Sequence, residues 1–154
     1  MIYISSSAIN SNSIEHCLKE LINAGIRNIE LSGGTKYCVN VLETLKKYKE
    51  KYSLNFLIHN YFPIPEEDFV LNIASHDERA RQDSIQFVKK SIDMAYNLEI
   101  DFYTLHAGYA GELLPNTDGG YFKILEDSGK STESAFEIMF ESISEVVGYA
   151  EEYN

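Results

Sequence analysis

The sequence predicts an α/β protein built around a parallel β-sheet. Four short runs rich in β-branched and aromatic residues alternate with four segments of helical apolar spacing. Such alternation implies a parallel sheet joined by right-handed crossovers. The connections from helix to strand are short, whereas those after the third and fourth strands, 62–76 and 107–131, are long and rich in Pro, Gly, Asn and Asp. Because these loops follow the carboxyl ends of parallel strands, they are the expected place for a functional site.

The strands and the first helix have clear local signals. The first helix opens at Asn12, with Glu15 three residues later as a capping box, and it ends at Gly25, which suits the left-handed position after a helix. The predicted strands cover residues 2–5, 28–32, 54–61 and 102–106.

The other three helices are predicted from apolar spacing. The second covers 36–51, the third 77–98 and the fourth 132–152. A helix with as heavy an apolar load as the fourth is expected to pack on a large partner. The stripes are Val39, Val41, Leu42 and Leu45 in the second helix, Ile85, Val88, Ile92 and Ala95 in the third, and Phe136, Met139, Phe140, Ile143, Val146, Val147 and Ala150 in the fourth.

Composition narrows the class of protein. A formal net charge of −11, from 13 basic and 24 acidic residues, disfavours binding to nucleic-acid phosphates. Cys17 and Cys38 are far apart and form no CxxC spacing, so reduced structural thiols are expected. We see neither a signal peptide nor an apolar run long enough to cross a membrane, and we expect a cytoplasmic protein.

Length sets the size of the sheet. A (β/α)₈ barrel takes about 250 residues, and the 154 residues here suffice for one domain, 1–154, with four βα units. Two alternatives remain open, namely half of a longer barrel and a four-stranded open sheet. An open sheet has two unpaired edges. If the chain is stable alone, we therefore expect a homodimer through those edges, which a monomeric mass at micromolar concentration would contradict.

Three predicted strands end in chemically capable residues. Glu30 lies at the end of the second strand, His59 and Tyr61 at the end of the third, and His106 at the end of the fourth. Since neighbouring carboxyl ends of parallel strands converge, imidazole and carboxylate groups there form a candidate metal or acid–base set. His16 and His76, in a helix and a loop, are interpreted as structural or solvent-exposed.

Several of these features occur together in a known pattern. They are His59 closing the third strand, the stretch Leu71-Asn72-Ile73-Ala74-Ser75, Arg79 or Arg81 at a helix start, and His106-Ala107-Gly108 closing the fourth strand. With IYISSSAI and AGIRNIELSGG, this closely resembles the xylose isomerase-like TIM-barrel superfamily. That superfamily holds sugar and sugar-phosphate isomerases and epimerases, and endonuclease IV-type DNA-repair enzymes. The resemblance implies a (β/α)₈ TIM barrel of which this chain supplies the first four βα units.

The resemblance also implies a ligand set. In the endonuclease branch the histidines that match His59 and His106 each bind zinc, whereas in the sugar branch these positions more often line the substrate pocket. The resemblance implies that the complete barrel binds a divalent ion, which is Mn, Mg, Co or Zn. Whether this chain binds the ion or binds none is left open. Glu30, His59, Tyr61 and His106 would then bind a small sugar substrate, with His59 and His106 as candidate metal ligands.

Three functions stay open at this stage. The first is a metal-assisted isomerase or epimerase that moves a proton next to a carbonyl, with the catalytic base on strands beyond Asn154, where the metal-binding Glu of strand five would also fall. The second is an endonuclease IV-type phosphodiesterase, which the acidic Glu66, Glu67 and Asp68 disfavour. The third is a non-catalytic half-barrel module.

Overall fold

The computed structural model describes residues 1–111, 113–114, 123–124 and 131–153. They form two compact units, 1–66 with 91–105 and 67–90 with 106–154, and a single domain over 1–154 stays a prediction. The elements are β1 Ile4–Ser5, a short 3₁₀ turn Ser6–Ala8, α1 Ile14–Asn23, β2 Asn28–Leu31, α2 Val41–Tyr52, β3 Asn55–His59, α3 Glu78–Asn97, β4 Tyr103–Thr104, β5 Leu113–Leu114, β6 Lys123–Ile124 and α4 Thr132–Glu151.

The first unit contains the predicted parallel sheet. Its strands lie in the order β1-β2-β3-β4, and every neighbouring pair is parallel. Ile4 is opposite Ile29, Ile29 is opposite Phe56, and Ile58 is opposite Tyr103. Within the described residues β1 and β4 are the two edges of the sheet, as the sequence predicts for four βα units.

One face of this sheet holds the hydrophobic core of the first unit. Side chains from β2 and β3 pack there against α1, α2 and the carboxyl end of α3, and most are less than 5% exposed. Burial of such apolar surface is the main force that holds the helices on the sheet. The core residues are Ile14, Leu18, Leu21, Ile29, Leu31, Leu45, Tyr48, Leu54, Phe56, Ile58, Phe62, Ala95 and Leu98.

The start of α1 differs from the prediction by one residue, and its end agrees with it. The Ser13 hydroxyl, and not Asn12, accepts from the His16 backbone N–H and caps the helix. At the other end Gly25 has φ +81°, its N–H donates to the Ile22 carbonyl, and Ile26 N–H donates to Leu21. This is the Schellman arrangement that the glycine indicated.

The second helix begins later than predicted. α2 starts at Val41, and the Val39 side chain is 79% exposed, so the assignment of Val39 to the buried apolar stripe of this helix is wrong. In the connection before α2, the backbone N–H of Lys36 donates to the Asn12 carbonyl at 3.0 Å. α3 and α4 begin and end within one residue of their predicted bounds.

In the second unit the buried side chain of Asn72 ties two backbone segments together. Its Oδ1 accepts from the N–H groups of Ala74 and Tyr109, at 3.1 and 3.0 Å. Its Nδ2 donates to the carbonyls of Tyr109 and Gly111, at 3.2 and 3.3 Å. Gly108, at φ +128°, passes so close that an added Cβ would lie 2.1 Å from Asn72 Oδ1. Only glycine fits there.

The long connection after β4 contains a structure that the sequence analysis missed. Leu113–Leu114 and Lys123–Ile124 form a short antiparallel pair. The remainder of predicted loop 107–131 lies partly outside the described residues. None of the described helices is both long enough and apolar enough to span a bilayer.

The packing predicted for α4 is only half correct. Ala135 and Ser142 are buried, at 3% and 2% exposure, but Phe136, Phe140 and Val147 are 54%, 65% and 49% exposed. Within the described part of the chain, no large partner covers the face of α4 that holds these three residues, although the composition of the helix predicts one.

Replacing Asn72 with Ala should destabilise the protein by about 2–4 kcal/mol, because four backbone groups lose their shared partner in a buried place. Urea unfolding measures this change. Asn97→Ala is the matched control. Among the described residues that exposed amide donates to the Asp93 carbonyl alone, and its loss should cost less than about 1 kcal/mol.

Gly108→Ala should also destabilise, through positive φ and contact with Asn72. In the Asn72→Ala background the contact is gone, so the second substitution should cost less than it does alone. Strict additivity of the two free energies of unfolding would contradict the described contact.

Candidate functional site

The candidate site lies on the sheet face opposite the core, toward the carboxyl ends of the strands. Ser5 pairs with Glu30, Glu30 pairs with Leu57, and His59 pairs with Thr104. Paired residues of parallel strands point to the same side, and side chains alternate along each strand. Since Ile29 and Ile58 belong to the core, Glu30 and His59 share the other face, on adjacent strands.

The His59 ring is held by its neighbour on β4. His59 Nδ1 lies 2.9 Å from Thr104 Oγ1, and Thr104 Oγ1 donates to the Ile58 carbonyl at 3.5 Å. A hydroxyl that donates to a carbonyl accepts from the ring, which places the proton of the neutral imidazole on Nδ1. Nε2 is then the nitrogen that can accept from a sugar hydroxyl or coordinate a metal.

The backbone beyond His59 is fixed by β4 as well. Asn60 has φ +48°, a left-handed conformation that asparagine tolerates better than most residues, and this ends β3. Its N–H donates to the Thr104 carbonyl at 2.8 Å, and its carbonyl accepts from the Tyr103 hydroxyl at 3.0 Å. Both bonds hold the end of β3 in one position.

The Tyr103 phenol is a neutral donor in this network. Burial raises the pKa of Tyr103 to about 12, against a small lowering by the Ser91 hydrogen bond. The hydroxyl therefore keeps its proton over the physiological pH range and keeps donating to the Asn60 carbonyl.

The ends of β1 and β2 are joined by a buried hydroxyl. Ser6 Oγ accepts from the Ser32 N–H at 3.0 Å and donates to the Ser32 carbonyl at 3.4 Å. Gly34, at φ +99°, then passes beside Ser7, where an added Cβ would lie 3.5 Å from the serine Cβ. A Cβ on Gly33 would lie 3.7 Å from the Tyr61 Cβ, so Tyr61 stands next to the turn that follows β2.

Glu30 has the environment of a binding group. It is half-buried, and its carboxylate takes part in no hydrogen bond or ion pair with the described residues. A carboxylate on this face of the sheet that pairs with none of the described residues is available to accept from ligand hydroxyls.

His106 is placed differently from its prediction. β4 ends at Thr104, two residues before His106, which is exposed and belongs to the second unit. The residue that closes β4 beside His59 is thus Thr104. The sharing of one ligand or metal by His59 and His106 stays a prediction.

His76 has a structural contact. Its Nε2 lies 2.7 Å from Ser134 Oγ in the first turn of α4. Ser134 in turn donates to the Ser131 carbonyl at 2.9 Å. This agrees with the interpretation of His76 as structural.

The donor set for a metal is incomplete in the described part of the chain. No three His, Cys, Asp or Glu side chains there are gathered as a metal site would require. Zinc and similar ions take at least three protein ligands in catalytic sites. The residues present therefore do not by themselves fit a metal ion, and we assign it no chemical step.

A cleft of about 580 Å³ lies at the opposite, amino-terminal ends of the strands. Lys49 enters it and donates to the carbonyls of Leu98 and Glu99, where α3 ends. A cation that satisfies the last carbonyls of a helix has a capping role. We therefore place the candidate site at the carboxyl ends of the strands and not in this cleft.

Three positioning residues escaped the sequence analysis. Ser6, Thr104 and Asn72 hold strand ends or loops through side-chain hydrogen bonds. Alternation along β4 could have placed Thr104 beside His59, and the stretch around Asn72 stood in the pattern that carried the resemblance. No local signal could have identified Ser6 among three consecutive serines.

Comparison with known proteins agrees with this architecture. Residues 18–154 match the model of a family described as xylose isomerase-like TIM barrel. Uncharacterized protein MJ1311 from Methanocaldococcus jannaschii is 28% identical over 112 residues, which are 73% of this chain and 31% of that protein.

Solved structures of similar fold are about twice as long as this chain. A D-tagatose 3-epimerase-like protein has a TM-score of 0.70 at 20% identity, and D-psicose 3-epimerase from Clostridium cellulolyticum H10 has 0.64 at 12%. In both, the match covers 97% of this chain and 48% of the other. The described sheet thus corresponds to part of a TIM barrel, as the sequence predicts.

The neutral His59 imidazole should carry its proton on Nδ1, because Thr104 Oγ1 accepts from that nitrogen. Nitrogen NMR of the histidine ring distinguishes the two tautomers. Thr104→Val should shift His59 toward the Nε2–H form, while Thr44→Val, in α2, should leave it unchanged. An Nε2–H tautomer in the unsubstituted protein would contradict the described hydrogen bond.

Stability should fall in alkaline solution through Tyr103. Its pKa rises from 10 to about 12 on folding, so its contribution is full below pH 10 and disappears as the pH rises toward 12. Tyr103→Phe should be less stable near neutrality, because the bond to Asn60 is lost, and should lack this part of the alkaline decline. Urea unfolding at a series of pH values measures both effects; equal pH dependence in the two proteins would contradict the account.

Proposed function

Since the chain belongs to the xylose isomerase-like TIM-barrel family, we propose that it forms the amino-terminal part of an isomerase or epimerase that acts on a ketose sugar or its phosphate. One observation carries this proposal. Glu30 and His59 occupy adjacent strands on the same non-core face of the sheet, and Thr104 orients the His59 ring. The similar structures bear the names of ketose 3-epimerases or of a protein like them, and this supports the substrate class.

The arrangement suits the binding of a polyhydroxylated ligand. The Glu30 carboxylate accepts hydrogen bonds from hydroxyls, and His59 Nε2 accepts one more. Tyr61, beside the turn at Gly33, offers an aromatic face and a phenol at the rim. Several oriented polar groups on a rigid sheet are what a sugar requires for a defined orientation.

Proton transfer next to the carbonyl needs a general base, and we assign that role to none of the described residues. Isomerisation and epimerisation both remove a proton from a carbon next to a carbonyl and return it at another position or on the opposite face. We propose that the base lies on further strands of a complete barrel. There Glu30, His59, Tyr61 and His106 bind the substrate.

We propose that the complete barrel also holds a divalent metal, Mn, Mg, Co or Zn, with His59 and His106 among its ligands. Such an ion polarises a carbonyl and its neighbouring hydroxyl. Because the described residues assemble no three-ligand site, the residue roles above rest on hydrogen bonding alone.

If the chain exists alone, we propose a homodimer through the edges of β1 and β4, which have unpaired backbone groups in the described sheet. Light scattering at micromolar concentration measures the mass. A monomeric mass would contradict the proposed homodimer and would leave the proposed sugar site unaffected.

D-Tagatose and D-psicose should bind to this chain, and Glu30→Gln or His59→Ala should weaken binding at least about tenfold through loss of hydroxyl partners. In a complete barrel the same substitutions should abolish epimerisation without unfolding the protein. Binding is measured by calorimetric titration and turnover by exchange of the sugar proton with solvent deuterium.

Glu43→Gln is the matched control, because this carboxylate is exposed on α2. It should leave binding and turnover unchanged. If the Glu30→Gln and His59→Ala variants bound these sugars as tightly as the unsubstituted protein, the proposed site would be contradicted. Nicking of abasic DNA without any action on ketoses would favour the phosphodiesterase alternative.

A further inference from the structure

The side chain of Asn72 joins two loops that follow neighbouring strands. Residue 72 lies in the connection from β3 to α3, and residues 106–111 lie in the connection that follows β4. Both segments belong to the second unit, and both lie within the third and fourth βα units of this chain. The contact between them therefore involves no further part of a barrel.

Three of the four side-chain hydrogen bonds of Asn72 reach the loop after β4. Asn72 Oδ1 accepts from the Tyr109 N–H at 3.0 Å, and Nδ2 donates to the carbonyls of Tyr109 and Gly111 at 3.2 and 3.3 Å. Asn72 is 2% exposed, so breaking these bonds would leave buried polar groups unpaired. We call this set of bonds the Asn72 clasp.

The clasp is anchored on α3. The Asn72 N–H donates to Ser84 Oγ at 2.9 Å, and Ser84 Oγ donates in turn to the Ala80 carbonyl at 2.7 Å. Ser84 is completely buried in the first half of this 20-residue helix. The amide of Asn72 therefore extends to the loop from a position that a long helix holds.

His106 lies close along the chain to the clasped residues. It belongs to no described helix or strand, so no strand pairing fixes its place. Gly108, two residues later, has φ +128° and passes the Asn72 amide so closely that only glycine fits. Two peptide units span at most about 7 Å between Cα atoms. The position of the His106 backbone is thus tied to the clasp.

We propose that Asn72 is a positioning residue for His106. By holding Gly108, Tyr109 and Gly111 in one place, the clasp fixes the loop that carries the imidazole, and Asn72 itself contacts no substrate. This role rests on the proposed function, in which His106 binds the sugar, whereas the position of His106 rests on the described bonds. In a released loop His106 would spend only a fraction of its time in the binding position, which lowers the apparent affinity by that fraction.

An asparagine suits this contact better than its charged analogue. Its amide offers an acceptor to N–H groups and donor hydrogens to two carbonyls on a short side chain. An aspartate would keep the acceptor for the Tyr109 N–H, but it would lose the donor and turn a negative charge toward the carbonyls of Tyr109 and Gly111. Asn72→Asp therefore loosens the clasp while changing the volume of the side chain little.

NMR of the full chain tests the position of His106 without a ligand. Asn72→Asp and, separately, Asn72→Ala should shift or broaden the backbone and ring signals of His106, whereas the signals of His59, in the other unit, should stay unchanged. Asn72→Asp, which keeps the two bonds to Oδ1, decides the result if Asn72→Ala does not fold.

Val88→Ala is the control for lost stability in this measurement. It removes apolar contacts of a fully buried residue in the second unit, and it removes no hydrogen bond of the clasp. It should leave the His106 signals unchanged.

Calorimetric titration with D-tagatose tests whether the position of His106 serves binding. Asn72→Asp should weaken binding at least about fivefold in the otherwise unsubstituted chain, and less than about twofold when His106→Ala has already removed the imidazole. In a His59→Ala background the fivefold loss should remain, because the clasp does not act through that residue.

Two kinds of result would overturn the proposal. One is an unchanged His106 signal in the Asn72 variants, or a change of equal size in Val88→Ala. The other is a sugar affinity that Asn72→Asp leaves unchanged, or lowers equally with and without the His106 ring. Absence of D-tagatose binding by the unsubstituted chain would instead contradict the proposed ketose site, and the His106 signals would still decide whether Asn72 holds that residue in place.

Discussion

The pairing of β3 with β4 is the constraint on which the candidate site depends. Besides the pairing of the strands, three hydrogen bonds lie within a few residues of each other. They join the His59 ring to the Thr104 hydroxyl, the Asn60 N–H to the Thr104 carbonyl, and the Tyr103 hydroxyl to the Asn60 carbonyl. Because β4 is short, it forms few backbone hydrogen bonds with β3. The three bonds therefore determine where β3 ends and where His59 points. Without them the imidazole would have neither a defined tautomer nor a defined direction.

The two faces of the sheet have different roles, since one forms the hydrophobic core and the other presents the candidate site. Ile29, Leu31 and Ile58 are fully buried against the helices, which requires the alternate positions Glu30 and His59 to point the other way. The hydrophobic core thereby presents the polar residues as a consequence of period-two alternation. Stability and candidate function are set by the same register. A one-residue slip would exchange the two faces.

Sequence reasoning succeeded where the signal is local or periodic. The alternation of strands and helices, the bounds of α3 and α4, and the glycine cap after α1 all follow from such patterns. It failed where a distant partner decides. Val39 continues an apolar pattern, yet its side chain is 79% exposed and its segment, which contacts Asn12 through the Lys36 N–H, lies outside α2.

The candidate site shows the same limit. Glu30 and His59 are predicted as site residues because strand ends are visible in the sequence, and the register places the two on a common face. The roles of Ser6 and Asn72 depend on residues 26 and 37 positions away, which no local pattern reveals. The sequence shows that α4 is rich in apolar residues. Among the described residues, however, none covers the face that holds Phe136, Phe140 and Val147, which are all about half exposed or more.

Amide NMR during titration with D-tagatose tests the central claim most directly, because it locates the ligand without assuming turnover. The account predicts shifts at Glu30, His59 and Thr104, at the carboxyl ends of the strands. Shifts confined to the opposite end, at Ser53, Asn55 and Asn97 in the cleft around Lys49, would contradict it.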